Sequence, residues 1–164
     1  MGRATWDDHL RHRTGSGRGF WTPLAYIDMA DGDVLTGILL SQLVYWHQMV
    51  MEHGPTRSTV IRDGYEWICK KRTEWKREIR LTERQIERSI GVLVGLGLVE
   101  KRTWQSDGVP TQHLRVVGER FMDVYERAVD ALLAEERDGQ PQSATSPLTS
   151  DSRSDGNPQG TQDP

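Results

Sequence analysis

One cysteine, two phenylalanines and four lysines are all that a chain of 164 residues contains of those types, and each scarcity closes off a class of protein. Cys69 alone cannot form an internal disulfide, and the five scattered histidines leave no Cys/His cluster at zinc-ligand spacing. A reducing, cytoplasmic setting is the expectation. The first residues carry Asp7, Asp8, Arg11 and Arg13 without an apolar run beside them, and no stretch reaches the roughly 18 consecutive apolar residues of a membrane span. A soluble protein without membrane attachment follows. The chain also lacks a Gly-rich phosphate loop, a nucleophile beside a base and a carboxylate constellation, so the expectation is no enzyme, no metal and no cofactor.

What is present is enough apolar material for one compact domain with tails. The net charge of −3 argues weakly against a nucleic-acid partner, but its distribution matters more than its sum. Residues 1–50 hold 4 basic and 5 acidic side chains, residues 51–118 hold 13 and 9, and residues 119–164 hold 4 and 10. The centre is therefore basic and the C-terminal part acidic. Residues 1–19, ending in Thr14-Gly15-Ser16-Gly17-Arg18-Gly19, read as a mobile arm, and residues 138–164, rich in Gln, Ser, Thr, Asp, Gly and Pro, as a disordered tail. The folded domain is expected over residues 20–137.

Within it, Leu35, Ile38, Leu39, Leu43, Trp46, Met49 and Val50 recur at three and four, the spacing of a helix with a wide buried face, capped by Asp31 or Asp33 and ended by Gly54-Pro55. Phe20 to Ile27 reads as a short extended segment, because Pro23 disfavours the helical conformation at Thr22. Thr59-Val60-Ile61 fits a strand, Asp63-Gly64 a turn, and Tyr65-Glu66-Trp67-Ile68 either a strand or a helix. Thr73 is placed to cap a short helix carrying Trp75 and Ile79 on one face.

Thr82 and Gln85 have the spacing of a capping box, so a second helix is expected from Glu83. Its apolar positions Ile86, Ile90, Leu93 and Val94 face inward, leaving Arg84, Gln85, Arg88 and Ser89 outside. A short helix, the tight Arg80-Leu81 connection and a capped helix with a basic first turn form a helix-turn-helix pattern. Leu98–Trp104 and Thr111–Val117 follow as two strand-like runs around the loop Gln105–Pro110, a hairpin that would serve as the wing. The expected fold is mainly α with a small β-hairpin: a winged helix-turn-helix with extra N- and C-terminal helices. Arg84, Gln85, Arg88 and Ser89 are the candidate base-side residues. Arg80, Lys101, Arg102 and Arg115, with the run Lys70-Lys71-Arg72, are candidates for phosphate contact.

The blocks Asp63–Trp75, Leu81–Arg88, Gly95–Glu100 and Gly108–His113, with Ile38–Trp46 upstream, resemble winged-helix replication and replisome-organiser proteins of phages and plasmids. The resemblance covers roughly Phe20 to Val117 and implies binding of origin or promoter DNA through Arg84, Gln85 and Arg88. The chain departs from the larger members in lacking a second domain for helicase loading or ATP hydrolysis. Sequence-preferring binding of double-stranded DNA, in replication initiation or transcriptional regulation, is the functional expectation. The competing reading is a protein-binding winged-helix module that inhibits or recruits a host or phage factor. Trp67 and Trp75 read as core residues, and Trp104 either packs against the first helix of the motif or wedges into a minor groove. Glu119 to Arg137 forms an amphipathic pattern through Phe121, Tyr125, Val129, Leu132 and Leu133, suited to packing back on the domain or to a homodimer seam.

Overall fold

A computed structural model describes residues 20–139, a mixed α/β arrangement of five helices and one antiparallel sheet of four strands. The expected arm lies outside these residues, as does the expected tail from residue 140 on, while Asp138 and Gly139 continue the last helix and do not belong to a tail. The chain opens with α1 (Leu24–Met29), where an extended Phe20–Ile27 was expected. Pro23 does hold the extended conformation, at φ −60° and ψ 143°, but it does so as the cap of a helix that starts on the next residue. A fixed φ near the helical value suits proline to a helix start.

The long helix α2 (Val34–His53) begins where Asp33 accepts the Thr36 amide at 3.3 Å and ends at Gly54, whose φ is +82°. By length and apolar content α2 could cross a membrane. In the fold it is the central core helix: Leu39, Leu40 and Leu43 are fully buried, each contributing about 1.5–3 kcal/mol of burial free energy. Gly37 lets α1 cross it closely, since a Cβ there would lie 2.9 Å from the Ile27 Cα.

Four strands follow in two hairpins: β1 (Thr59–Arg62) with β2 (Tyr65–Cys69), and β3 (Val99–Ser106) with β4 (Val109–Val116). Both turns are two-residue Asp-Gly steps with positive φ at each position, 54° and 78° at Asp63-Gly64 and 51° and 78° at Asp107-Gly108. That is the turn whose twist matches paired strands. The second hairpin therefore turns on two residues where the six of Gln105–Pro110 were expected as its loop; the other four extend the strands. The hairpins join through Ile68 opposite Leu114 and Cys69 opposite His113, giving the order β1-β2-β4-β3. The expected hairpin is thus half of one four-stranded sheet, in which Thr59–Arg62 and Tyr65–Cys69 form the other half and Tyr65–Ile68 is a strand.

Between the hairpins lie α3 (Arg72–Ile79) and α4 (Glu83–Gly95). Helix α3 starts one residue before the expected Thr73 cap, with the Lys71 amide donating to Glu74 at 2.8 Å. Arg80 takes a left-handed conformation at its end, φ 62°, and turns the chain into α4. The Thr82–Gln85 box forms as the sequence implies, each backbone amide donating to the other's side chain at 2.8 and 3.3 Å. Ile86, Ile90 and Leu93 enter the core with Ile68, Trp75, Ile79, Leu98, Val99, Leu114 and Val116. Val94 does not; it is exposed.

The last helix, α5 (Gly118–Gly139), packs back on α1 through its first half. Phe121 and Tyr125 stack at 5.8 Å, and Tyr26 meets them edge-on at 5.6 and 6.0 Å. Leu133, in the second half, stays half exposed.

Candidate nucleic-acid interface

Helix α4 presents Arg84 and Arg88 one turn apart on its exposed face, as their spacing requires. Among the described residues Arg84 has no ion-pair partner. Arg88 has one: its Nη2 lies 2.7 Å from Asp33 Oδ2, at the start of α2. Asp33 is already engaged by Thr36, whose hydroxyl donates to it at 2.9 Å and lies 3.1 Å from Ser89 Oγ. One carboxylate thereby caps α2 and orients an arginine on α4. Partial desolvation pushes the Asp33 carboxyl up, but the two Thr36 hydrogen bonds and the Arg88 charge outweigh it and hold the group below its ordinary value.

Ser89 is a correction. Its side chain is 0% exposed and its hydroxyl is satisfied inside the protein by Thr36, so it is removed from the exposed face of α4. Gln85 is half-buried and its side-chain oxygen is committed to the Thr82 amide and hydroxyl, at 2.8 and 3.0 Å.

Lys70 is the second correction. The run Lys70-Lys71-Arg72 does not act as one surface patch, because Lys70 is buried and its ammonium pairs with Glu78. It also lies 3.7 Å from the Trp46 ring centroid and 5.0 Å from that of Trp75. Burial lowers the Lys70 pKa, opposed by its bond to Glu78. Glu78 in turn accepts from Gln42 at 2.7 Å and from the Trp46 indole at 2.8 Å. The whole group ties α2 to α3.

The remaining cations divide by place. Lys71 and Arg80 are exposed at the two ends of α3, and Lys76 and Arg77 are exposed between them. None of the four has an ion-pair partner among the described residues. Lys76 and Arg77 were missed, although Trp75 and Ile79 pointing inward would have placed them outside. Glu87 on α4 holds Arg72 at 2.6 Å and Lys101 at 3.7 Å, so two of the expected phosphate contacts share one acid.

Arg102 and Arg115 lie elsewhere. Direct pairing of Glu100 with Arg115 and of Arg102 with His113 puts these side chains on one face of the sheet, while Lys101 and Leu114 share the other. The face of Leu114, Val116, Ile68 and Val99 is the one covered by the helices. Arg102 and Arg115 therefore point to the opposite side, each bound to Glu100, at 2.7 and 2.5 Å. Trp104 joins them there, 4.7 Å from Trp67 and 5.0 Å from His113, so it packs on the sheet and not on α3.

The candidate interface is thereby reduced to Arg84 and Arg88 on α4, with Lys71, Lys76, Arg77 and Arg80 along α3 and Arg72 and Lys101 tethered through Glu87. No protein-family model, curated protein or solved structure matches the chain.

Proposed function

We propose that this chain is a sequence-preferring duplex-DNA-binding protein in which α3 and α4 act as a helix-turn-helix, α4 as the recognition helix and the β3–β4 hairpin as the wing. The observation that carries the reading is the pair Arg84–Arg88 on the first turns of α4, beside the exposed Lys76, Arg77 and Arg80 of the preceding helix and turn. Arginine at such a position suits bidentate contact with guanine in the major groove, and the cations of α3 suit the flanking phosphates. Lys101 on the hairpin lies on the same side of the sheet as α4. The role in replication initiation or transcriptional regulation rests on the resemblance of the central blocks alone. Two copies joined through the exposed second half of α5 would give the two-fold arrangement suited to paired half-sites.

Selection of bound fragments from random duplexes, followed by titration of the selected duplex at two salt concentrations, tests this. Counterion release predicts an affinity falling steeply with salt, and Arg84→Ala should weaken the selected duplex by about 1–3 kcal/mol while changing non-selected duplexes far less. Absence of duplex binding at low salt, with the folded state verified, refutes the proposal and favours a protein-binding module.

A further inference from the structure

The face of the sheet turned away from the helices is not bare. Along β1 and β2 it carries Val60, Arg62, Tyr65, Trp67 and Cys69, which alternate with the core-facing side chains. Trp67 is only 3% exposed, yet it stands outside the main core cluster. It is covered by its own neighbours: Trp104 at 4.7 Å, Arg115 at 5.6 Å from its ring centroid, and the Arg62 carbonyl, which accepts from its indole at 3.2 Å.

On top of that buried tryptophan sit alternating cations and rings. The Arg62 guanidinium is 4.5 Å from the Trp104 centroid and that of Arg115 is 3.9 Å from the Tyr65 centroid. Tyr65 remains 50% exposed, Arg62 and Arg102 are exposed, and Trp104 is half-buried. Among the strand residues of this face the one carboxylate is Glu100, shared by Arg102 and Arg115. The strand residues of this face therefore combine exposed π surface with three arginines to one carboxylate, and Asp63 and Asp107 stand in the turns at the hairpin ends.

We propose that this outer sheet face binds an unpaired nucleic-acid strand, with Tyr65 and Trp104 stacking bases and Arg62 and Arg102 neutralising phosphates, while Arg115, held by Glu100, supports the Tyr65 ring from behind. Stacking on aromatic rings and on arginine planes, combined with a positive surface that follows the backbone, is the chemistry of single-strand recognition. A duplex hides its bases from such rings. An acidic peptide would use the cations and leave Tyr65 without a task. The surface is separate from α4, so this proposal does not depend on the duplex reading.

The probe is a fluorescein-labelled thymidine oligomer of about 20 nucleotides, long enough for one site of this kind, titrated with the full chain. The expected result is salt-sensitive binding, weakened about tenfold by Tyr65→Ala, restored by Tyr65→Phe and weakened by Arg62→Gln, with Arg84→Ala without effect. Thermal melting of each variant establishes that it folds. The proposal is overturned if the oligomer does not bind at low salt, if Tyr65→Ala binds as tightly as the parent, or if Arg84→Ala abolishes binding. It is equally overturned if a duplex of the same length competes as well as the oligomer and depends equally on Tyr65.

Discussion

Replacing Lys70 by methionine tests whether this lysine is an interior strut or a phosphate contact. The ammonium is 5% exposed at its side chain, and the Glu78 carboxylate it faces is 23% exposed. Removing one partner of a buried pair costs about 3–5 kcal/mol, because the other charge is left uncompensated. Here Glu78 keeps its bonds from Gln42 and Trp46 and some contact with water, which places the loss near the lower end of that range. Methionine preserves the packing of the lysine stem, while the contact with the Trp46 ring, worth about 1 kcal/mol, is forfeited. A total of about 4 kcal/mol follows. With a urea dependence of about 2 kcal/mol per molar, the unfolding midpoint should fall by about 2 M, read from tryptophan fluorescence. Lys70→Met/Glu78→Gln should recover about half of this, since the orphaned charge is gone while an acceptor for Gln42 and Trp46 remains. Duplex affinity of Lys70→Met, measured while folded, should equal that of the parent. A midpoint shift below about 0.3 M, or a double variant no better than the single one, would refute the interior role.

Gly37→Ala should destabilise by about 2 kcal/mol or more in the same urea titration, because the new Cβ meets the Ile27 backbone at 2.9 Å and backbone cannot swing aside. An unchanged midpoint would show that α1 is not held against α2. Glu87→Gln should release Arg72 and Lys101 toward phosphate and raise duplex affinity several-fold at low salt, an effect that shrinks at high salt; equal or lower affinity would refute it. Acid should weaken the fold through two carboxylates with folded pKa values below their ordinary ones. The Arg115 hydrogen bond, against partial desolvation and with help from Arg102, lowers that of Glu100, and Asp33 is lowered by Thr36 and Arg88 in spite of desolvation. Their contribution is complete above the ordinary values of 4.5 and 3.8 and is lost as pH falls through the lower folded ones. The urea midpoint should therefore drop from about pH 5 to about pH 3, and drop less in Asp33→Asn/Glu100→Gln; equal drops would refute the assignment.

Features decided within a few residues were legible before any coordinates. The Thr82–Gln85 box spans four residues and the Asp63-Gly64 turn two, so local chemistry suffices for both. Ser89 was misplaced because a helical stripe drawn through Ile86, Ile90 and Leu93 accommodates either Ser89 or Val94 at its edge, and polarity favoured exposing the serine. Its burial depends on Thr36, 53 residues away, which no local pattern conveys. Lys70 misled for the same reason, since its setting is assembled from Trp46, Trp75 and Glu78. The sheet was under-read because only two residue pairs, Ile68–Leu114 and Cys69–His113, join its hairpins. The split of Arg102 and Arg115 from Lys101 follows from strand alternation alone and was open to the sequence once β3 was accepted.

Asp33 sits where two demands on the chain meet. It starts the helix on which the core is built and also holds an arginine on the candidate DNA-contacting surface. If α4 reads DNA as proposed, Arg84 can be exchanged without disturbing anything beneath it, whereas loss of the Asp33 carboxylate releases Arg88 and removes the Thr36 bonds at the start of α2 together. Change in target choice would then fall on the first turn of α4, with the Arg88 position anchored from behind.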